Sequence, residues 1–509
     1  MTTILAPDFL LTQPDMAVLT SGLALAITNG RVAQVGEPDL LRECWPSAEF
    51  IALPGCIVMP GLINAHQHGR GLSQIQLGYR DDFLETWIAS RRGRGILDAY
   101  TVTRLAAVRM LAQGVTTTIH ANYSYGTGDY EAEVRAQLQA YVEVGIRVAM
   151  CVGAMDRGTV VYPPHEACFM AGLPADLKDW LTRPGAQAYA GDADATIALM
   201  GRLRADFGSH SGIRLCYGPA GPQWVSDSLM QALARDAEEH GLGIHLHALE
   251  SPAQRAAADE LYPSGVFAHL RKLGVLQERT VIAHGVWADD ADMAELAQAG
   301  ATVVRNAGSN LRLLNGIAPL ARYLARGVRI AVGTDNAALD DNEDLLSELR
   351  LAGCLGREPD WNGPPPPTTD QLLAMVTVNG AVAAQFAPDV GTLEVGKRAD
   401  LVAVSLKRTR SPYLDTDMPL LNAFLARADG SDVRLTMIDG RMRYRDGKLI
   451  GIDLAEIEHA AAEGASSARR PQDPLNGGRA AQLHDHLNRH YQQATADKRS
   501  NASLHSRET

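Results

Sequence analysis

No stretch of the 509-residue chain approaches the roughly 20 consecutive apolar residues that span a bilayer, so a membrane protein is not expected. The N-terminus, MTTILAPDFLLTQPDMAVL, has no basic segment ahead of its apolar residues and reads as mature protein rather than a signal peptide. Basic charge is also short. The 47 lysines and arginines stand against 59 acidic residues, a net charge of −12, with no stripe to neutralise phosphates; this excludes nucleic acid as a partner. Cysteine is sparse: six, at positions 44, 56, 151, 168, 216 and 354, with no CxxC pair. That pattern reads as the reduced thiols of a cytoplasmic protein, not a disulfide framework. A Gly-rich phosphate turn after an early strand is missing too, which removes a doubly wound nucleotide-binding sheet.

What is present is an ordinary globular composition, 46% hydrophobic and 21% charged, in a chain too long for one core. Residues 1–58 and 391–450 carry short alternating segments with tight turns, such as LALAITNGRVAQVG and VRLTMIDGRMRYRDGKLI. They predict a small β-sandwich built from both ends of the chain. Between them, 59–390, eight β-branched runs alternate with Ala- and Leu-rich helical stretches such as SDSLMQALARDAEEHG. Repeated strand–helix units give a parallel sheet, and eight of them predict a distorted (β/α)8 barrel of the TIM type. The long connection 153–194 is placed as a lid on the barrel rim. Residues 451–509 read as a polar tail, helical near 479–495.

Chemistry collects at the strand ends. In PGLINAHQHGRG, His66 and His68 are two residues apart at the end of the first barrel strand, so both side chains face the interior. HxH alone is a weak signal. The fifth strand adds IHLHALE, with His247 and Glu250; the sixth ends at His284 and the eighth at Asp335. Barrel enzymes gather their catalytic groups at these C-terminal ends. Three imidazoles and a carboxylate suit a divalent metal of the zinc type.

The set PGLINAHQH, HLHALE, AHG, GTDN and VGTLEVGKRADLVAV resembles the amidohydrolase superfamily. The match is closest to its branch holding cytosine deaminase, guanine deaminase and the triazine hydrolases, and covers about 20–450. The resemblance implies one divalent metal per subunit held by His66, His68, His247 and Asp335, zinc first, with iron or manganese as alternatives. It implies that Glu250 moves protons, that His284 orients the water or polarises the substrate, and that Asp335 also takes the water's proton. A metal lowers the pKa of bound water from about 15.7 to near 7, so a nucleophile forms at neutral pH. The fourth strand, IRLCYGP, has no lysine to bridge two metals. The expected reaction is hydrolysis of a non-peptide C–N bond, foremost deamination of a nitrogen heterocycle. Cleavage of an amide, urea or carbamate stays open, and a non-catalytic scaffold stands behind both. A small-molecule substrate and a homo-oligomer complete the expectation.

Trp87, His120, Tyr123 and Asn310 are the expected substrate contacts. His245 is expected as a buried structural residue, and Cys151 and Cys216 as small core residues. Arg91, Arg92 and Arg94 read as a solvated face or interface, against the sharper reading of an anion grip. Asp340, Asp341 and Asp344 would suit a cationic substrate. In HDHLNRH, His486 and His490 share a helix face and are taken as surface residues.

Overall fold

The computed structural model describes residues 2–90, 95–157, 160–182, 188–335, 341–468 and 476–505; Arg91, Arg92, Arg94 and Asp340 lie outside the described residues. The N-terminal strands are β1 (Thr2–Leu11), β2 (Leu19–Ser21), β3 (Ala24–Thr28), β4 (Arg31–Gly36) and β5 (Glu49–Pro60). The barrel strands are β6 (Leu62–Gln67), β7 (Val115–Ala121), β8 (Arg147–Ala154), β9 (Ile213–Pro219), β10 (Gly243–Ala248), β11 (Thr280–His284), β12 (Thr302–Arg305) and β13 (Arg329–Val332). Strands β14 (Leu401–Ser405), β15 (Val433–Ile438), β16 (Arg441–Arg445) and β17 (Lys448–Leu449) return to the N-terminal set. All eight expected barrel strands are present.

Strands β6 to β13 pair in sequence order, all parallel, and a bridge from Gln67 to Asp335 links the last to the first. Outward residues such as Met150, Leu215, Leu246, Ile282 and Val303 pack under the helices. Inward residues Ala65, Ile119, Ala149, Cys151, Cys216, Val281, Val304 and Ala331 fill the lower barrel, where Ala381 and Phe386 join them. The two cysteines are core residues, as expected.

The terminal segments form one nine-stranded mixed sheet, with β5 between β1 and β14. It curls on itself, so Leu25, Ile27 and Val32 of one end meet Leu401, Leu435 and Met437 of the other. The sandwich read from the sequence is thus a single continuous sheet. Strand β5 hands directly over to β6 at Gly61, where a Cβ would lie 2.2 Å from the Thr116 hydroxyl, so glycine is required. A buried ion pair joins barrel and sheet: Arg147 donates to Asp400 at 2.6 and 3.1 Å and to Asp439 at 2.6 Å.

The C-terminal segment is more ordered in its role than a tail. Helices Leu454–Ala468 and Asn476–His505 both pack on the barrel, the second with Leu483 and Leu487 fully buried. His490 is half-buried against Phe169 and Tyr491 rather than on the surface, because the helix lies on the 153–194 connection. Among the described residues no helix is long and apolar enough to cross a membrane.

Candidate active site

A β-bulge prepares the site. Asn64 and Gln67 pair with Thr118 and His120, three residues against two, and the extra residue re-aims the strand. Gln67 then faces out to Tyr141, while His66 and His68 face the barrel axis. Left-handed backbone marks the other ends: Leu249 at φ 51°, His284 at 75° and Asp335 at 56°. Such strain in non-glycine residues concentrates where a site must be aimed.

The side chains converge. One donor atom each from His66, His68 and His247, and likewise from His66, His284 and Asp335, lie within 4.8 Å of one another in buried groups able to hold a metal ion. Asp335 Oδ1 stands 2.9 Å from His68 Nε2 and 3.4 Å from His66 Nε2. Outer partners fix the rings. His68 Nδ1 donates to the Ala121 carbonyl at 2.6 Å and His247 Nδ1 to that of Ala220 at 3.1 Å, which leaves each Nε2 as a lone-pair donor. His66 Nδ1 meets His245 Nε2 at 2.8 Å. Its own Nε2 is buried and, among the described residues, makes no hydrogen bond, with Asp335 Oδ1 3.4 Å away.

Burial pushes His66 down to about 4 and lowers His247 and His245 well below the ordinary histidine value. Burial alone would raise Asp335, but the His66 and His68 rings beside it hold it well below the usual carboxylate range. Neutral imidazoles around an ionised carboxylate are the forms in which these groups bind a cation. An orphaned buried nitrogen is otherwise costly, so the residues fit a metal.

Glu250 lies at the edge of this cluster, its Oε2 3.6 Å from His284 Nε2. Burial raises its pKa well above the ordinary glutamate value, with Asp335 and Glu85 adding to the shift. Asn315, absent from the sequence reading, donates to Glu250 Oε1 at 2.9 Å, and Trp287 Nε1 donates to the Asn315 carbonyl at 2.7 Å. The LLNG turn that delivers Asn315 carries no local chemical signal. Ser309, beside Asn310 after the seventh barrel strand, donates to Asp335 Oδ2 at 2.6 Å.

The expected substrate contacts divide. Tyr123 is partly exposed beside His68 and His247, its hydroxyl 3.3 Å from His247 Nδ1. Asn310 is buried and orients His284, whose Nδ1 lies 2.9 Å from Asn310 Oδ1. His120, expected at the rim, instead faces outward to Tyr141 at 3.0 Å, because strand alternation turns Ile119 inward. Trp87 is buried with Leu84 and Leu313 beside the mouth. The acidic loop serves the fold: Asp341 pairs with Arg312 at 3.2 Å, and Asp344 caps the helix Leu345–Leu355.

An eight-stranded parallel barrel whose C-terminal ends gather this donor set defines a hydrolase of the metal-dependent kind. The model of the Amidohydrolase family matches residues 57–443, and the chain belongs to that family. It is 28% identical over 460 residues to 5'-deoxyadenosine deaminase of Methanosarcina barkeri, covering 89% of this chain and 95% of the relative. It is also 28% identical to the 5-methylthioadenosine/S-adenosylhomocysteine deaminase of Moorella thermoacetica, over 89% and 97% of the two chains. Among solved structures, an adenosine deaminase from Xanthomonas campestris with bound zinc superposes with a TM-score of 0.77 at 24% identity, covering 92% of this chain and 98% of that one.

Proposed function

We propose that the protein is a hydrolytic deaminase of a purine nucleoside or a related aminated N-heterocycle. The observation that carries this reading is the orphaned His66 Nε2 beside His68, His247 and Asp335, with Glu250 at the edge of the same buried cluster. Deaminases of adenosine derivatives among its relatives support the substrate class.

His66, His68, His247 and Asp335 would hold one divalent metal, for which the zinc in a structural neighbour supports zinc. Bound there, a metal would supply Lewis acidity that makes water nucleophilic at neutral pH. Asp335, the ionised member of the set, accepts the proton that the water gives up. Glu250, kept protonated by burial, delivers its proton to the ring nitrogen beside the attacked carbon; Asp335 then passes the water's proton to the departing amino group, and Glu250 recovers a proton from the new hydroxyl as the carbonyl forms. Asn315 holds its Oε1 and leaves Oε2 toward His284. His284, buried and lowered by burial, is a neutral imidazole whose Nε2 orients the incoming water. Tyr123 closes one side of the mouth and excludes bulk water. The free thiols support a cytoplasmic setting, and exposed Phe83, Leu314, Ile317 and Trp361 support a homo-oligomer.

Mass spectrometry of products from the zinc-loaded protein tests the reading, with a panel of adenosine derivatives, aminated pyrimidines, pterins, triazines, aryl ureas and carbamates. Exchange of one amino group for hydroxyl on an intact ring is expected. Fission of an amide, urea or carbamate, with every aminated ring untouched, would overturn it.

A further inference from the structure

The helix Asn476–His505 begins beyond residue 443, where the family match ends, yet it is seated at the active-site mouth. It packs on the helix Leu84–Ser90, on the helix Pro252–Leu261 that starts two residues after Glu250, and on the helix Ala175–Thr182. Tyr491 joins the apolar cluster of Tyr162, Ala253, Ala257 and Trp224; its ring centroid is 5.9 Å from that of Tyr162, and it hydrogen-bonds to the Tyr162 backbone.

Polar contacts continue inward from there. The Tyr162 hydroxyl donates to Glu85 Oε1 at 3.0 Å. Ser251 donates to the same oxygen. Ser251 Oγ also caps the helix Pro252–Leu261, accepting from the Gln254 amide at 3.1 Å, and Gln254 Oε1 accepts from the Glu250 amide at 2.9 Å. A side chain that caps one helix while held by a half-buried carboxylate has a single rotamer available, so the backbone of Glu250 inherits that order.

We propose that the C-terminal helix is a built-in wall of the active site and that Tyr491 is a positioning residue for Glu250, acting through Tyr162, Glu85 and Ser251. This rests on Glu250 carrying the proton transfers assigned above. Its consequence is specific. Misplacing a proton-transfer group by a fraction of its hydrogen-bond reach slows the chemical step without weakening substrate binding.

The test uses the full-length, zinc-loaded protein with Tyr491→Ala, Tyr491→Phe and Glu85→Gln, beside a chain ending at residue 468. Hydrogen exchange followed by mass spectrometry reads peptides covering 248–256, independently of activity. Tyr491→Ala and the shortened chain are expected to raise exchange at Glu250–Gln254 about tenfold, while β10 and β11 keep their protection. Tyr491→Phe, which retains the ring, should restore most of the order. In turnover, Tyr491→Ala and Glu85→Gln should lower kcat about tenfold with KM changed by less than about twofold.

Unchanged exchange at 250–254 in Tyr491→Ala would overturn the proposal, as would loosened exchange with an unaltered kcat. If the shortened chain loses protection throughout the barrel, the three single substitutions decide. If wild-type protein deaminates nothing, the proposed reaction fails, while the exchange result still decides whether this relay orders Glu250.

Discussion

The barrel buries a polar cluster at each end, and the two are built on opposite terms. At the end facing the terminal sheet, Arg147 is about 1% exposed and spends its donors on Asp400, Asp439 and the Ser211 carbonyl. At the other end, His66, His68, His247 and Asp335 are also buried, but among the described residues His66 Nε2 makes no hydrogen bond. A cluster that satisfies itself holds two sheets together; a cluster left with a lone pair to spare is arranged for something that is not protein. Burial is common to both, so burial alone does not identify a functional site. A lone pair left open among clustered metal-type ligands does.

The contrast can be broken by substitution. Glu250→Gln should reduce turnover by about 10²–10⁴-fold while metal content and melting temperature stay at wild-type levels, since the amide keeps the shape and loses the proton. Steady-state kinetics beside metal analysis checks this. Arg147→Met should do the reverse, removing about 3–5 kcal/mol of stability by stranding Asp400, with metal content unchanged in the fraction that remains folded. Urea unfolding reads that difference. His245→Phe falls between the two: it strips His66 of its ring partner and should weaken metal affinity about 10–100-fold, seen by competition with a chelator.

The smallest effect is a pH response of the metal-free protein. His66 sits at about 4 in the fold against an ordinary 6.5, because burial disfavours its charged form. Between these values the unfolded chain binds a proton that the folded one refuses, so stability falls as pH drops through that window. Thermal melts at stepped pH should show the loss, and His66→Gln should lessen it.

Much of this architecture was legible in the sequence because strand ends in a barrel are chemically labelled. HQH, HLHALE, AHG and GTDN each stand at the close of an apolar run, and the structure brings all four to one point. The alternation rule predicts the inward face of His247, and the same rule, with Ile119 inward, turns His120 outward. The bulge at Asn64–Gln67 was invisible, since one extra residue leaves no trace in composition. Asn315 and Ser251 escape the sequence reading for another reason. Small polar residues in turns are common everywhere, and only the long-range approach of distant loops gives these a partner. The C-terminal helix was read as a tail because its sequence is polar; its two buried leucines, four residues apart, were the only hint of a docked face.

The measurement that bears most directly on the contrast is metal stoichiometry by mass spectrometry on protein purified without added metal, for wild type, Asp335→Ala and Arg147→Met together. One divalent ion per chain is expected in the wild type and in folded Arg147→Met, and none in Asp335→Ala. Wild-type protein that takes up no divalent metal even when it is supplied, or Asp335→Ala that retains a full equivalent, would contradict this.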